Sequence, residues 1–363
     1  MNSFITTQEI AREALPLLQS NLVFPALMHT DFSEEFSKKG DTVQIRKPPI
    51  YSADEFSGTI NVQDVQETSV LVKLDRIADV SVELTAKEMA LNVEDFTKQV
   101  IEPAVSAIAE KINADAHELC SEVPARIGTP GTAPGSLSDI ANAAKILNDN
   151  KAPLTGRSAV WSTSAIARFQ VIPALINAEK CGTTEALREG SVGRVFGVDN
   201  YLSQQVKVHK AGSLRGTGQI YASNQYSADQ ITLGADSLEG TVNVGDMFKV
   251  NGKYFYATGS AVADANSVTF PISEKITIDD ISTPAEICGD YNINMMFQKN
   301  AFGFVTRPLE VARGADSYVT NYNGLSIRVT MDYNIATKKQ TLSIDTLYGF
   351  KTLYPELAVC IYG

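Results

Sequence analysis

Apolar and polar positions recur with two different periods along this chain, and the changes of period mark its elements. Over residues 7 to 20, Ile10, Ala11, Ala14, Leu15 and Leu18 repeat at helical spacing behind Thr7 as a cap. The stretch Asn21 to Thr30, including Phe24, is apolar, interrupted by Pro25 and without a period, as in an arm laid on another surface. From Gly40 the period becomes two, with Val43 and Ile45 on one side and Pro48-Pro49 ending the strand. Beyond a polar stretch through Asp54, Glu55 and Gly58, Val70, Val72 and Leu74 alternate against Leu71, Lys73 and Asp75, up to Arg76. Two such strands around a polar tip predict a long hairpin exposed on both faces. A two-stranded ribbon is marginal by itself, so a neighbour is expected to support it.

The helical period returns near Asn92 or Asp95 and continues to about Glu122. Phe96, Val100, Ile101, Val105, Ile108, Ile112, Ala116 and Leu119 form one stripe on a helix about 40 Å long at about 1.5 Å per residue. Pro103 is expected to bend it. A Gly/Pro/Thr loop from Pro130 to Ser136 then leads to a helix over Leu137 to Leu147. Ala159 to Trp161 reads as a buried strand, Ser162 or Thr163 as the cap of a helix ending at Gln170, and Gly193–Phe196 and Asp199–Tyr201 as short strands about Gly197.

Near Ala222 the helical pattern stops. Thr241–Val244, Met247–Val250, Lys253–Tyr256 and Ser267–Phe270 read as strands, and Asn251-Gly252 is a hairpin signal. These predict a small β-barrel-like insertion at about 225 to 280, with Val242, Val250, Phe255 and Phe270 in its core. The interrupted fold resumes with Asn292–Phe297 and Ala301–Val311. A last antiparallel pair, Leu325–Met331 with Lys339–Asp345, follows across Tyr333 to Lys338.

Composition narrows the function classes. At 363 residues the chain exceeds the roughly 250 to 300 at which one core stops growing, so more than one unit is expected. No apolar run of about 18 residues and no basic-then-apolar leader occur, which points away from a membrane span and a secretory signal. Cys120, Cys181, Cys288 and Cys360 form no CxxC pair and read as reduced cytosolic thiols. A net charge of −11 disfavours wrapping nucleic acid over the whole surface but allows a container wall beside it.

The search for chemistry returns little. His29, His117 and His209 lie far apart and form no HExxH motif; His117 has only Cys120 as a companion and reads as the flank of a packed helix face rather than a ligand. Gly190, Gly193 and Gly197 lack phosphate-loop spacing and read as turns. Asp279-Asp280, Asp139, Asp149 and Glu34-Glu35 read as solvated carboxylates. The basic pairs Lys38-Lys39, Arg46-Lys47 and Lys338-Lys339 have no interleaved aromatics; they are solubilising charges or partners for acidic patches on a neighbour.

The order of these elements resembles the major capsid proteins of tailed bacteriophages, in the coat-protein branch with an inserted β-domain. Four segments carry the resemblance: Ile10–Phe24 with Phe32–Phe36 and Gly40–Pro49; Leu84–Met89 through the helix ending near Cys120; Leu187–Asp199; and Phe297–Leu309 with the C-terminal strand pair. The resemblance implies an α+β, HK97-like fold. Its parts would be an N-terminal arm (1–36), an E-loop with flanking strands (37–82) and a P-domain with a spine helix (83–135). An A-domain (136–224), the inserted β-domain (225–280) and returning strands of the A- and P-domains (281–363) would follow.

It further implies a coat subunit of the virion, assembled in the host cytoplasm as pentamers and hexamers of an icosahedral shell. Scaffolding and portal proteins, and in some relatives a decoration protein, would be its partners. Packaged double-stranded DNA would be touched non-specifically, with no membrane contact. No enzyme activity, cofactor, metal or catalytic residue is implied, and E-loop cross-linking is assigned to neither Lys47 nor Lys73. Assembly contacts are expected at Phe24 and Phe36 in the arm and at Arg46, Lys47, Asp54 and Glu55 in the ribbon. The alternatives are an encapsulin-like compartment and a monomeric α/β enzyme with a cleft.

Overall fold

A computed structural model describes residues 6–30, 42–47, 68–85, 96–176, 189–217, 219–222, 228–264, 266–276, 283–311, 314–322, 324–335 and 339–363. The chain divides into two compact units. One comprises Met1–Pro124, Asn150–Ser158 and Phe297–Ala358; the other comprises Ala125–Asp149, Ala159–Met296 and Val359–Gly363.

In the first unit the helix Thr7–Asn21 is capped by Thr6, one residue before the expected Thr7. Glu9 decides between the two hydroxyls, because its carboxylate accepts from the Thr6 backbone while Thr6 Oγ1 accepts from Glu9 N–H. The long helix is a composite. Pro103 has no N–H to donate, and the distortion expected there takes the form of a π turn over Thr97–Ile101, in which Glu102 N–H reaches Thr97 O. Regular α-helix Glu102–Ala116 and a 3₁₀ segment His117–Glu122 complete it. Residues 92 to 95 lie outside the described residues. Val105, Ile108, Ile112 and Ala116 are buried as the stripe requires, each larger side chain contributing about 1.5–3 kcal/mol.

This helix packs on the Thr7–Asn21 helix and on strands Arg76–Thr85 and Lys339–Thr352. Lys339–Thr352 is the centre of a five-stranded antiparallel sheet. Leu325–Asn334 pairs with its first half, Phe302–Arg307 with its second, and Arg76–Thr85 with Lys339 through Tyr348; Asp316–Tyr322 pairs with Leu325–Asn334. Strand Arg76–Thr85 is absent from the sequence reading, yet its period is two: Ala78 and Leu84 are buried while Asp79, Ser81 and Glu83 are exposed.

The second unit is built on a sheet in the order Arg126–Gly128, Ala358–Tyr362, Tyr291–Gln298, Arg157–Trp161, Val198–Leu202, Arg194–Val195, with Val208–His209 also paired to Tyr291–Gln298. Ala159, Val160 and Trp161 are fully buried. Ser162, not Thr163, caps the following helix Thr163–Phe169 by accepting from Ala165 N–H. Helix Leu137–Asp149 follows the Gly/Pro loop.

Among the described residues, ten strands between Val208 and Tyr291, from Arg215–Thr217 to Thr283–Ile287, share a separate core. Six form one sheet, and an antiparallel bridge Ala257↔Ile272 joins its outer strands, which gives the expected barrel-like closure. Val242, Val250, Phe255 and Phe270 lie in this core, but it begins at Leu214 and includes Ala285, with Ile287 packed against it. It is wider than 225 to 280 because Tyr221–Ala222 and Thr283–Ile287 are paired strands of that sheet. Asn251 and Gly252 have φ of 50° and 76°, the left-handed pair that a two-residue hairpin turn needs.

Candidate functional site

The ribbon predicted from period-two alternation is present as Thr42–Lys47 paired antiparallel with Thr68–Lys73, in the register Val43↔Val72 and Arg46↔Ser69. Its tip, with Asp54 and Glu55, lies outside the described residues, as do Phe36 and the side chains of Arg46 and Lys47. Exposure on both faces does not hold at its foot. Val43, Val72 and Leu74 are buried against Val305, with Ile45 and Leu347 packed around them. Only the other face is open there, where Leu71 is 61% exposed. The alternation that gives a strand two faces does not say which neighbour covers one of them.

Phe24 requires a second correction. Expected as an assembly contact, it is wholly buried within its own unit. It stacks on His117 at 4.7 Å and meets Phe297 and Phe302 edge-on at 5.0 and 5.8 Å. Backbone bonds fix the segment in place: Val23 N–H donates to Asn113 Oδ1, His29 N–H to Phe302 O, and Phe304 N–H to His29 O. The apolar arm covers the chain's own aromatic cluster.

Where the ribbon joins the sheet, strand Thr68–Lys73 ends and Arg76–Thr85 begins after Leu74 and Asp75. Arg76 turns toward the long helix and pairs with Glu118 at 2.8 Å and with Asp115 at 3.3 Å. Asp115, 7% exposed, also receives Lys111 Nζ at 2.6 Å and the Tyr348 hydroxyl at 2.7 Å. Burial by itself raises the pKa of Asp115, but the hydrogen bonds from Lys111 and Tyr348 and the charges of Lys111 and Arg76 outweigh it and hold the carboxyl below its usual range. Burial first, then the bond to Asp115, pushes the Tyr348 phenol up. The hydrogen bond with Glu118 raises the Arg76 guanidinium against its desolvation. A cleft of about 410 Å³ opens here, lined by Leu71, Asp75, Arg76, Asp115 and Lys351 among others. Its charges are paired with one another and brace the long helix against strands Arg76–Thr85 and Lys339–Thr352.

His117 sits deep in the aromatic cluster with neither ring nitrogen hydrogen-bonded, and burial pushes it down to about 4. It is neutral packing material. Among the described residues no three His, Cys, Asp or Glu side chains gather as metal ligands, and no helix is long and apolar enough to cross a membrane. Asp139 is a structural cap, accepting from Gly135 and Ser136 N–H. Gly190, Gly193 and Gly197 all have positive φ, as turns require. Asp279-Asp280, Glu34-Glu35, Lys38-Lys39 and Lys338 lie outside the described residues; Lys339 pairs with Glu83.

Sequence reading missed Arg76, Asp115 and Tyr348. Only the polarity of Asp115, one position before the stripe residue Ala116, marks the group in sequence, because its members come from three distant segments.

No protein-family model and no curated protein sequence matches the chain. Solved structures do. A structure from Mycobacterium phage Che8 aligns over 94% of this chain and 90% of its own, at 14% identity and a TM-score of 0.53. The capsid of Ralstonia phage GP4 aligns over 94% of this chain and 87% of its own, at 10% identity and a TM-score of 0.51. At these identities the likeness is one of fold: the chain has the mixed α+β fold of these two phage structures along nearly its whole length.

Proposed function

We propose that the chain is the major capsid subunit of a tailed bacteriophage, assembling as pentamers and hexamers into an icosahedral shell around double-stranded DNA. The observation that carries this reading is the correspondence of fold with the capsid of Ralstonia phage GP4 over 94% of the chain. The ribbon supports it, since beyond its foot it pairs only with itself among the described residues and a neighbouring copy would supply the cover. On this reading the first unit supplies the P-domain, with the composite helix as its spine and the ribbon as its E-loop. The second supplies the A-domain and carries the inserted barrel.

Scaffolding and portal proteins would direct assembly and packaging, and a decoration protein could bind the finished shell. The acidic chain would touch DNA only non-specifically. The subunit would work in the virion, built in the host cytoplasm, without catalysis. Sedimentation velocity and negative-stain microscopy of the expressed protein, with and without its co-expressed scaffolding protein, test the reading. Closed shells are expected; a 39.2 kDa monomer under every condition rejects it. Shells packed with protein cargo would favour an encapsulin-like compartment instead.

A further inference from the structure

Two hairpins in this chain share one turn geometry and differ at one residue. In both, two residues with positive φ link directly paired strands. Asn251-Gly252 (50° and 76°) joins Val250 to Lys253, and Phe196-Gly197 (49° and 79°) joins Val195 to Val198. Asparagine tolerates the left-handed region because its short polar side chain bonds locally; a bulky aromatic is a steric outlier there. Phe196 is therefore not the residue the turn selects. Nor does the subunit's own core use it, because the side chain is 58% exposed. A strained residue whose side chain is turned to solvent points to a role outside the subunit.

The hairpin presents Phe196 rigidly. Asn200 donates to the carbonyls of Gly193 and Val198, and accepts from the indole of the buried Trp161 at 2.8 Å. Arg194 lies across the strands, near Asp199 at 3.7 Å. Tyr201 and Leu202, at the far end of the hairpin's second strand, are exposed as well. Little order is left to be gained on binding, which favours affinity.

At the opposite edge of the same sheet, beside strand Arg126–Gly128, lies a cavity of about 730 Å³. Ile127, Ala133, Pro134, Val171 and Tyr362 contribute its apolar lining, and Arg168 stands at the wall with its guanidinium held on Ala133 O at 2.7 Å. Asp139, the acidic group in the lining, is already engaged with two backbone N–H groups. Among the described residues no buried side-chain atom in this lining lacks a hydrogen-bond partner. The cavity thus combines apolar side chains with the fixed guanidinium of Arg168, alongside Lys145 and neutral polar groups, and an aromatic ring can stack against the guanidinium.

We propose that Phe196 of one copy inserts into this cavity on the next copy of the chain, on the cation face of Arg168, resting on the shell reading above. A knob on one edge of a sheet and a hole on the other make a head-to-tail contact, which closes into a ring when the rotation per copy divides a full turn. The contact gives the second unit its place around each ring and makes Phe196 an anchor of the interface.

The experiment compares full-length wild type, Phe196→Asn and Val171→Glu by sedimentation and thermal melting. Phe196→Asn removes the knob and relieves the turn, so subunit melting should stay equal or rise while the concentration for half-assembly rises about tenfold or more. Val171, 71% exposed at the cavity, should give the same assembly loss without a folding defect. Co-assembled Phe196→Cys and Val171→Cys subunits should cross-link on mild oxidation, and neither should do so alone. Wild-type assembly by Phe196→Asn, or no cross-link in mixed shells, overturns the contact and leaves the shell reading standing. A wild type that never associates overturns both.

Discussion

The Tyr348 hydroxyl donates to Asp115 Oδ2 at 2.7 Å across 233 positions of sequence, tying the central strand of the sheet to the long helix. Both groups are buried. Tyr348→Phe should cost about 1.5–3 kcal/mol, the range for a hydrogen bond to a charged group, read by chemical denaturation of the dissociated subunit. The pH dependence follows from the two shifts. Asp115 titrates below its usual range when folded, so its stabilisation is present above the unfolded value of about 3.9 and fades as pH falls through the lower folded value. Tyr348 is raised, so stability should also decline as pH rises past about 10, and Tyr348→Phe should remove that alkaline limb. An unchanged alkaline limb in the variant would show that the phenol is not the group responsible.

His117 gives an acid dependence of the same sign as Asp115, but at higher pH. Its folded value of about 4 lies below the ordinary histidine value of 6.5, so between these pH values the unfolded chain binds more protons. Stability is full above 6.5 and falls toward pH 4, by about 3 kcal/mol in all at 1.36 kcal/mol per pH unit. His117→Leu removes two unpaired buried nitrogens and should be neutral or stabilising at pH 7.5. The difference between wild type and variant should grow steadily from pH 6.5 to 4. A constant difference across that range would place the acid sensitivity elsewhere.

Much of the fold is legible in the sequence where one period persists and one side is buried. The helix stripe from Val105 to Ala116, the Val43/Ile45 and Val70/Val72 alternation, and Asn251-Gly252 are such cases. Strand Arg76–Thr85 carries the same alternation, Ala78, Val80, Val82 and Leu84 against Asp79, Ser81 and Glu83, and is equally legible although the expected strand ends at Arg76. Thr6 and Thr7 are equivalent as caps until Glu9, three residues beyond Thr6, is weighed. Phe24 misleads for a different reason. An apolar segment without period reads the same whether it covers another subunit or the Phe297–Phe302 cluster of its own chain. The Arg76–Asp115–Tyr348 brace leaves almost no trace, since its charges meet only after the sheet and helix pack.

Gly349 is required by close approach, not by its φ. A Cβ there would lie 2.2 Å from the carbonyl oxygen of Lys73, where the ribbon foot crosses the central strand. The obstacle is backbone and has little freedom to yield. Gly349→Ala should therefore destabilise the subunit by about 1–3 kcal/mol. Gly289→Ala, with nothing within 4 Å of its Cβ, should change stability by less than about 0.5 kcal/mol. Equal melting temperatures for the two variants would show that the ribbon foot shifts at no cost.

On the ribbon, Arg46 and Lys47 stand opposite Ser69 and Thr68. If acidic groups of a neighbouring copy cover this ribbon, Arg46→Glu with Lys47→Glu juxtaposes like charges at every copy of the contact, which costs several kcal/mol. On an isolated surface the same change is worth only about 0 to 1 kcal/mol. Subunit melting should thus be unchanged while assembly yield falls, with partial recovery in high salt. Normal assembly at low salt would make the pair ordinary solvated charges.

The inserted barrel leaves and re-enters the second unit at neighbouring points. Val208–His209 pairs with Tyr291–Asn292, and Asp290 accepts from Lys210 Nζ at 2.7 Å and Ala211 N–H at 2.9 Å. Its hydrophobic core, from Leu214 to Ala285, is its own. Replacing residues 212 to 289 by a short Gly-Ser linker should therefore leave a foldable remainder, because the ends need no rearrangement to be joined. A cost is expected at one place. Asp246 lies inside the excised segment, where it holds His209 Nε2 at 2.7 Å and accepts from Gly212 and Asn243 N–H, and Tyr291 donates to Gly245 O. Excision strips His209 and the Tyr291 hydroxyl of these partners, at about 1–3 kcal/mol for each group left buried without one. His209→Gln combined with Tyr291→Phe should recover part of that loss in the shortened chain. Circular dichroism and limited proteolysis read the outcome: a cooperatively melting, protease-resistant remainder is expected, and a chain digested as an unfolded polypeptide would mean that the barrel is part of the second unit's folding core.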